Sequence, residues 1–144
     1  MADSSVPLEI KAKEPGGIQE FQMDADILYK GTMVKIAADG YLMDAASEAG
    51  SFFAGIAAET KDNSGGSAGD LKMQVYRKGR FLLTFSDTLT IADVGSTVYA
   101  TDNQTATVTS GASKQIVGQL VEFVTASTGW VDIDHMNHAA ALGT

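Results

Sequence analysis

The stretch Leu71-Lys72-Met73-Gln74-Val75-Tyr76-Arg77-Lys78-Gly79-Arg80-Phe81-Leu82-Leu83-Thr84-Phe85 decides the fold class. Leu71, Met73 and Val75 alternate with Lys72, Gln74 and Tyr76, and beyond Gly79 the same parity resumes with Phe81, Leu83 and Phe85 against Arg80, Leu82 and Thr84. A period of two is the signature of a strand with one face buried and one wet. Because parity survives Gly79, the stretch reads either as one long strand kinked at a glycine bulge or as two strands turning at Lys78-Gly79.

The same reading extends outward on both sides. Val131 and Ile133 alternate with Trp130, Asp132 and Asp134, a strand with a wet face, while Ile116 to Val124 is apolar on both parities, as for a strand covered on two sides. Ala38-Asp39-Gly40 between Met33-Val34-Lys35-Ile36 and Tyr41-Leu42-Met43 reads as a hairpin, since Asp-Gly supplies the positive φ that tight turns need. Thr101-Asp102-Asn103-Gln104 is a similar turn, and the one credible core helix is a single turn over residues 90–94, capped by Thr88 or Thr90. The polar, glycine-rich run from Lys61 to Asp70 reads as an exposed, mobile excursion between strands.

One part of the chain echoes another. Gly31-Thr32-Met33-Val34-Lys35 with its turn at Asp39 resembles Gly95-Ser96-Thr97-Val98-Tyr99 with its turn at Asp102. Gly55-Ile56-Ala57-Ala58-Glu59 likewise resembles Gly118-Gln119-Leu120-Val121-Glu122, at offsets of 64 and 63 residues (95 − 31 and 118 − 55). Two matches at nearly one offset suggest a duplicated unit over 31–59 and 95–122, set against coincidence among short Gly/Val/Ala-rich segments. The expected fold is therefore mainly β: a small antiparallel barrel or sandwich with short turns and one short helix near 90–94.

The ends differ from this β domain of residues 27–134. Residues 1–26 hold both prolines, Pro7 and Pro15, with Gly16-Gly17 and scattered apolar residues, and read as an extended N-terminal arm. Within it Val6, Leu8 and Ile10 alternate with Pro7, Glu9 and Lys11, the spacing of a strand that can add to a partner's sheet. Residues 135–144 read as a C-terminal tail.

Composition narrows the function. The 144 residues contain no Cys, which removes disulfides, thiol nucleophiles, iron–sulfur clusters and thiolate zinc sites. A net charge of −8 opposes nucleic acid and anionic membrane surfaces, so neither is an expected partner. No apolar run approaches the ~20 residues of a membrane-spanning helix, and Met1 to Ser5 lacks a secretory leader's features, so synthesis in a cytoplasm is expected.

Chemistry is sparse. His135 and His138 near Asp132 and Asp134 are the one cluster with metal-ligand residue types, but they sit where a strand gives way to a tail, and a solvated tail is the expected reading. Gly65-Gly66-Ser67-Ala68-Gly69 lacks the Lys-Ser/Thr of a phosphate loop, and no nucleophile elbow is present. Of twelve Asp and six Glu, Asp39, Asp62, Asp70 and Asp102 belong to turns; Glu59 and Glu122 stand at matching places in the echo and read as strand-end surface residues or as paired acids. No enzymatic activity, cofactor or metal is expected.

Tyr29-Lys30-Gly31-Thr32-Met33-Val34, Phe53-Ala54-Gly55-Ile56-Ala57-Ala58-Glu59, the Gly-rich loop and the strand ending Gly79-Arg80-Phe81, in that order, resemble the capsid cement or head decoration proteins of tailed bacteriophages. Ala92-Asp93-Val94-Gly95-Ser96-Thr97-Val98-Tyr99, Ile116-Val117-Gly118 and Gly129-Trp130-Val131 continue the resemblance, which rests on order and spacing and leaves out the arm and the tail. It implies a virion structural protein on the outer surface of an icosahedral head, often a homotrimer, that bridges major capsid subunits without catalysis. Capsid contact is then expected through Val6, Leu8, Ile10, Ile18 and Phe21 of the arm. The competing expectation is an outward-facing carbohydrate or host-surface binding module, with Trp130 on the wet face as its best feature.

Overall fold

A computed structural model describes residues 17–133, and within them the chain is mainly β. Its strands are β1 (Ile18–Gln22), β2 (Ile27–Leu28), β3 (Met33–Ile36), β4 (Leu42–Asp44), β5 (Phe52–Ala57), β6 (Lys61–Asp62), β7 (Lys72–Tyr76), β8 (Arg80–Phe85), β9 (Thr97–Ala100), β10 (Thr105–Thr107), β11 (Ile116–Thr125) and β12 (Thr128–Asp132). They form a five-stranded sheet of order β1-β7-β5-β3-β4, a closed five-stranded barrel β10-β8-β12-β11-β9, and the small β2-β6 pair.

The stretch that decided the fold class divides at Gly79, but not as a hairpin. β7 pairs with β1 and β5 in the first sheet, whereas β8 pairs with β12 and β10 in the barrel. Arg77 to Gly79 therefore passes the chain from one sheet to the other, with Gly79 at φ +124°. Met73 and Val75 are buried and Lys72 and Gln74 exposed, as the alternation requires.

The two units share one strand plan. Read from β1, the first sheet runs β1-β7-β5-β3-β4; read from β8, the barrel runs β8-β12-β11-β9-β10. The parallel β10–β8 contact that closes the barrel has its counterpart in a single parallel bridge, Met23 to Leu42, across the ends of the first sheet. Hydrogen bonds repeat residue by residue. Gly31 N–H donates to Ala57 O at 2.9 Å and Gly95 N–H to Leu120 O at 2.7 Å; Ala57 N–H donates to Thr32 O at 2.9 Å and Leu120 N–H to Ser96 O at 3.0 Å. At the turns, Asp39 accepts from Tyr41 N–H at 3.1 Å and Asp102 from Gln104 N–H at 2.9 Å. The shared plan reaches past 31–59 and 95–122 to the strands that flank them, β1 with β8 and β7 with β12.

Two cores result. Met23, Leu28, Val34, Leu42, Ala54, Ala57, Met73 and Val75 pack together on one face of the first sheet. Met33, Phe53 and Ile56, on the opposite face of the same strands, join Leu83, Phe85, Val98, Val117, Leu120 and Val131 of the barrel in a single cluster. β3 and β5 are thus buried on both faces, which explains why Phe53-Ala54-Gly55-Ile56-Ala57 is apolar without alternation.

Four readings change. β1 lies inside the stretch read as an arm: Ile18–Gln22 pairs with β7 and Met23 is fully buried, because Phe21 and Met23 complete the first core. The turn at 90–94 is a 3-10 helix, Ile91–Asp93, with Asp93 accepting from Thr90 N–H at 2.8 Å, yet it buries no residue and Ile91 is 71% exposed. Ile116–Thr125 is not covered on two sides; bulges between Leu120 and Glu122 and between Phe123 and Thr125 reset its parity. The run from Lys61 to Asp70 is tied down rather than a free excursion. Lys61–Asp62 pairs with β2, and the buried Asn63 amide donates to Asp24 O at 3.1 Å and Ser67 O at 3.0 Å, replacing strand pairing with side-chain bonds.

Candidate functional site

Of the residues expected to grip a partner, Ile18 is 42% exposed at the start of β1. Phe21 points inward, packs against the first core and lies under the Arg77 guanidinium, 5.1 Å from its ring centroid. Burial among these neighbours lowers the Arg77 pKa. Phe21 is thus taken up by the chain's own fold, while Val6, Leu8 and Ile10 lie outside the described residues. Among the described residues β1 pairs with β7 alone along Ile18–Gln22, so its other edge keeps unpaired backbone donors and acceptors.

The acids sort by place. Asp62 accepts from Ser64, which lowers its pKa, and Asp70 accepts from Ser67 N–H at 2.9 Å. Glu59 accepts from Gln74 N–H at 2.8 Å in the first sheet and Glu122 stands opposite Trp130 in the barrel, so the two are strand-associated residues on separate units. Among the described residues no group of three or more His, Asp or Glu is placed to hold a metal ion. His135, His138 and Asp134 lie outside the described residues.

Asp87 joins β10 to the end of β8. Its carboxylate accepts from Thr107 Oγ1 at 2.6 Å and Thr109 Oγ1 at 2.9 Å. Burial works against its charge, but the hydroxyls of Thr107, Thr109 and Ser86 and the Val108 N–H outweigh that and hold its pKa below 3.8. A carboxyl whose pKa falls on folding adds stability above its unfolded value, and that stability is lost as pH drops through the folded one. Urea midpoints measured across pH should therefore fall below pH 3.8, and Asp87→Asn should flatten that acid limb while lowering the midpoint at neutral pH. Asp44 has the opposite sign. Burial, with Asp26 nearby and against a hydrogen bond from Asn103, raises its pKa, so its charge costs stability as pH rises through the folded value.

A buried polar node fastens the two units. Lys35, 4% exposed, pairs with Glu48 at 2.9 Å and donates to Ala46 O at 3.1 Å. Gln115, from the barrel side, donates to that same carbonyl and to Ser51 Oγ, both at 2.7 Å, and Ser113 O accepts from Glu48 N–H. No composition or spacing signal marks Gln115 as part of this node, since its partners Ala46 and Ser51 lie more than sixty residues away.

The outer face of β8, β12 and β11 is a three-by-three array fixed by register. Its rows are Arg80–Asp132–Gln119, Leu82–Trp130–Glu122 and Thr84–Thr128–Thr125. Trp130 is 38% and Leu82 51% exposed at its centre. Comparison with family models, with curated proteins and with solved structures finds no match for this chain.

Proposed function

We propose that this chain is a structural protein of the virion that binds the outer surface of an icosahedral phage head and bridges major capsid subunits, acting as a homotrimer after synthesis in the host cytoplasm. The observation that carries this reading is the outer edge of β1, which pairs with no other strand along Ile18–Gln22 among the described residues. A sheet edge with unpaired backbone groups, at the point where the arm enters the fold, can take a strand from a neighbouring subunit by main-chain hydrogen bonding. The order of Gly-Val elements, the resemblance to head decoration proteins and the acidic surface agree with a protein that faces solvent rather than the packaged genome.

The test is retention on expanded, empty heads. The full chain should co-sediment with heads and sediment alone as a trimer. Removing residues 1–16, which precede β1, should keep the thermal midpoint and weaken retention at least about tenfold, the effect of losing about 1.4 kcal/mol of contact. A full-length chain that does not bind heads overturns the reading, and unchanged retention after the deletion overturns the arm's part in it.

A further inference from the structure

We propose that the face centred on Trp130 is a binding site for a neutral carbohydrate, a function separate from head binding. Because the two units share one strand plan, the molecule carries its own control. Leu82, Trp130 and Glu122 correspond to Glu20, Gln74 and Glu59 of the first sheet, where Glu20 stands opposite Gln74 and Glu59 accepts from Gln74 N–H. The strand plan is thus satisfied by a polar row, and exposing a tryptophan and a leucine at the same positions is not a demand of folding.

The chemistry of the face selects the ligand. An indole beside an aliphatic side chain offers a flat apolar strip on which the C–H face of a sugar ring can stack. On one side stand Arg80, Asp132 and Gln119, and on the other the hydroxyls of Thr84, Thr128 and Thr125, with Thr125 and Thr128 hydrogen-bonded at 2.6 Å. These groups both donate and accept, as paired sugar hydroxyls require. The two bulges of β11 bracket Glu122 and set it opposite Trp130. Strand and residue spacings make the array about 10 by 13 Å, room for two sugar rings.

Other occupants fit less well. Arg80 beside Asp132 and Glu122 gives the face no cationic excess for a phosphate backbone, within a chain of net charge −8. Two exposed apolar side chains fall short of the core of a stable protein interface, which buries about 800 Å² per partner.

Trp130 is the chain's only tryptophan, so its emission reports this face alone. Titrating the full chain with a panel of neutral mono- and oligosaccharides should give a saturable emission change at millimolar sugar for at least one member, with matching saturation-transfer NMR signals. The double variant Leu82→Glu/Trp130→Gln copies the polar row of the first sheet and so should fold, with NMR binding weakened at least about tenfold by loss of stacking. Its retention on heads should be unchanged. No response across the panel, or undiminished sugar binding by the double variant, overturns the proposal. An emission shift that follows protein concentration without sugar, or loss of head retention by the double variant, overturns it too, by assigning the face to a second copy or to the capsid.

Discussion

Adding a single methyl group at Gly118 or at Gly55 should cost more than any other small substitution in the chain. A Cβ at Gly118 would stand 2.0 Å from Asp132 O and 3.1 Å from Ile133 Cα; at Gly55 it would stand 2.0 Å from Tyr76 O and 2.7 Å from Val75 Cγ1. Both obstacles include backbone, which cannot swing aside as a long side chain can. Gly55 is further held at φ +149°, where a side chain is strained whatever the space. The two glycines occupy matching places, each beside a register shift, in the pairing of β5 with β3 and of β11 with β9. The close approach is thus one device used twice. Gly118→Ala and Gly55→Ala should each destabilise by at least about 3 kcal/mol, lowering the thermal midpoint by more than about 10 °C. Gly65→Ala is the control. Nothing lies within 4 Å of its Cβ position, and its midpoint should move by no more than about 0.5 kcal/mol of equivalent stability. A Gly118→Ala protein that melts with the parent would show that the barrel can open at this point without cost.

The second large effect is at the polar node between the units. Truncating Glu48 leaves Lys35 buried without its counter-ion, still bonded to Ala46 O but short of one acceptor. Because the Glu48 side chain is 37% exposed and water can reach the gap, the cost is discounted from the full value for a buried pair, to about 2 kcal/mol. Replacing Lys35 by methionine should cost less. The carboxylate left behind can turn toward water, whereas the ammonium cannot. The order Glu48→Ala worse than Lys35→Met, read from urea midpoints, tests whether burial or pairing dominates. The double variant should be less destabilised than the sum of the singles, since the orphaned charge is removed with its partner.

Much of this architecture is legible in the sequence itself. Alternation at Lys72–Tyr76 and Arg80–Phe85, the Asp-Gly hairpin at 38–40 and the paired Gly31/Gly95 and Gly55/Gly118 echoes rest on local rules that tertiary context did not override. What escaped had non-local causes. β1 was hidden because Ile18-Gln19-Glu20-Phe21-Gln22 has weak patterning of its own and is held by pairing with residues fifty or more positions away. The matching of β1 with β8 was equally opaque, since Glu20 and Leu82 share position but no chemistry. Asn63 reads as loop composition in a run of Ser and Gly, yet its amide organises that run from within. The array around Trp130 was half legible. The wet face carrying Trp130 opposite the buried Val131 and Ile133 could be read directly, but its neighbours come from register: Leu82 from the β8–β12 pairing and Glu122 from the bulges of β11.

The passage of the chain through Arg77 to Gly79 also orders the molecule in time. Every strand of the first sheet precedes β8 in the chain, so the cluster that holds Met23, Val34 and Val75 draws on no later residue. The barrel has no such independence, because Met33, Phe53 and Ile56 form one wall of its core. The half of the chain made first therefore supplies one wall of the core of the half made second, and two units built to one plan are unequal in what each takes from the other.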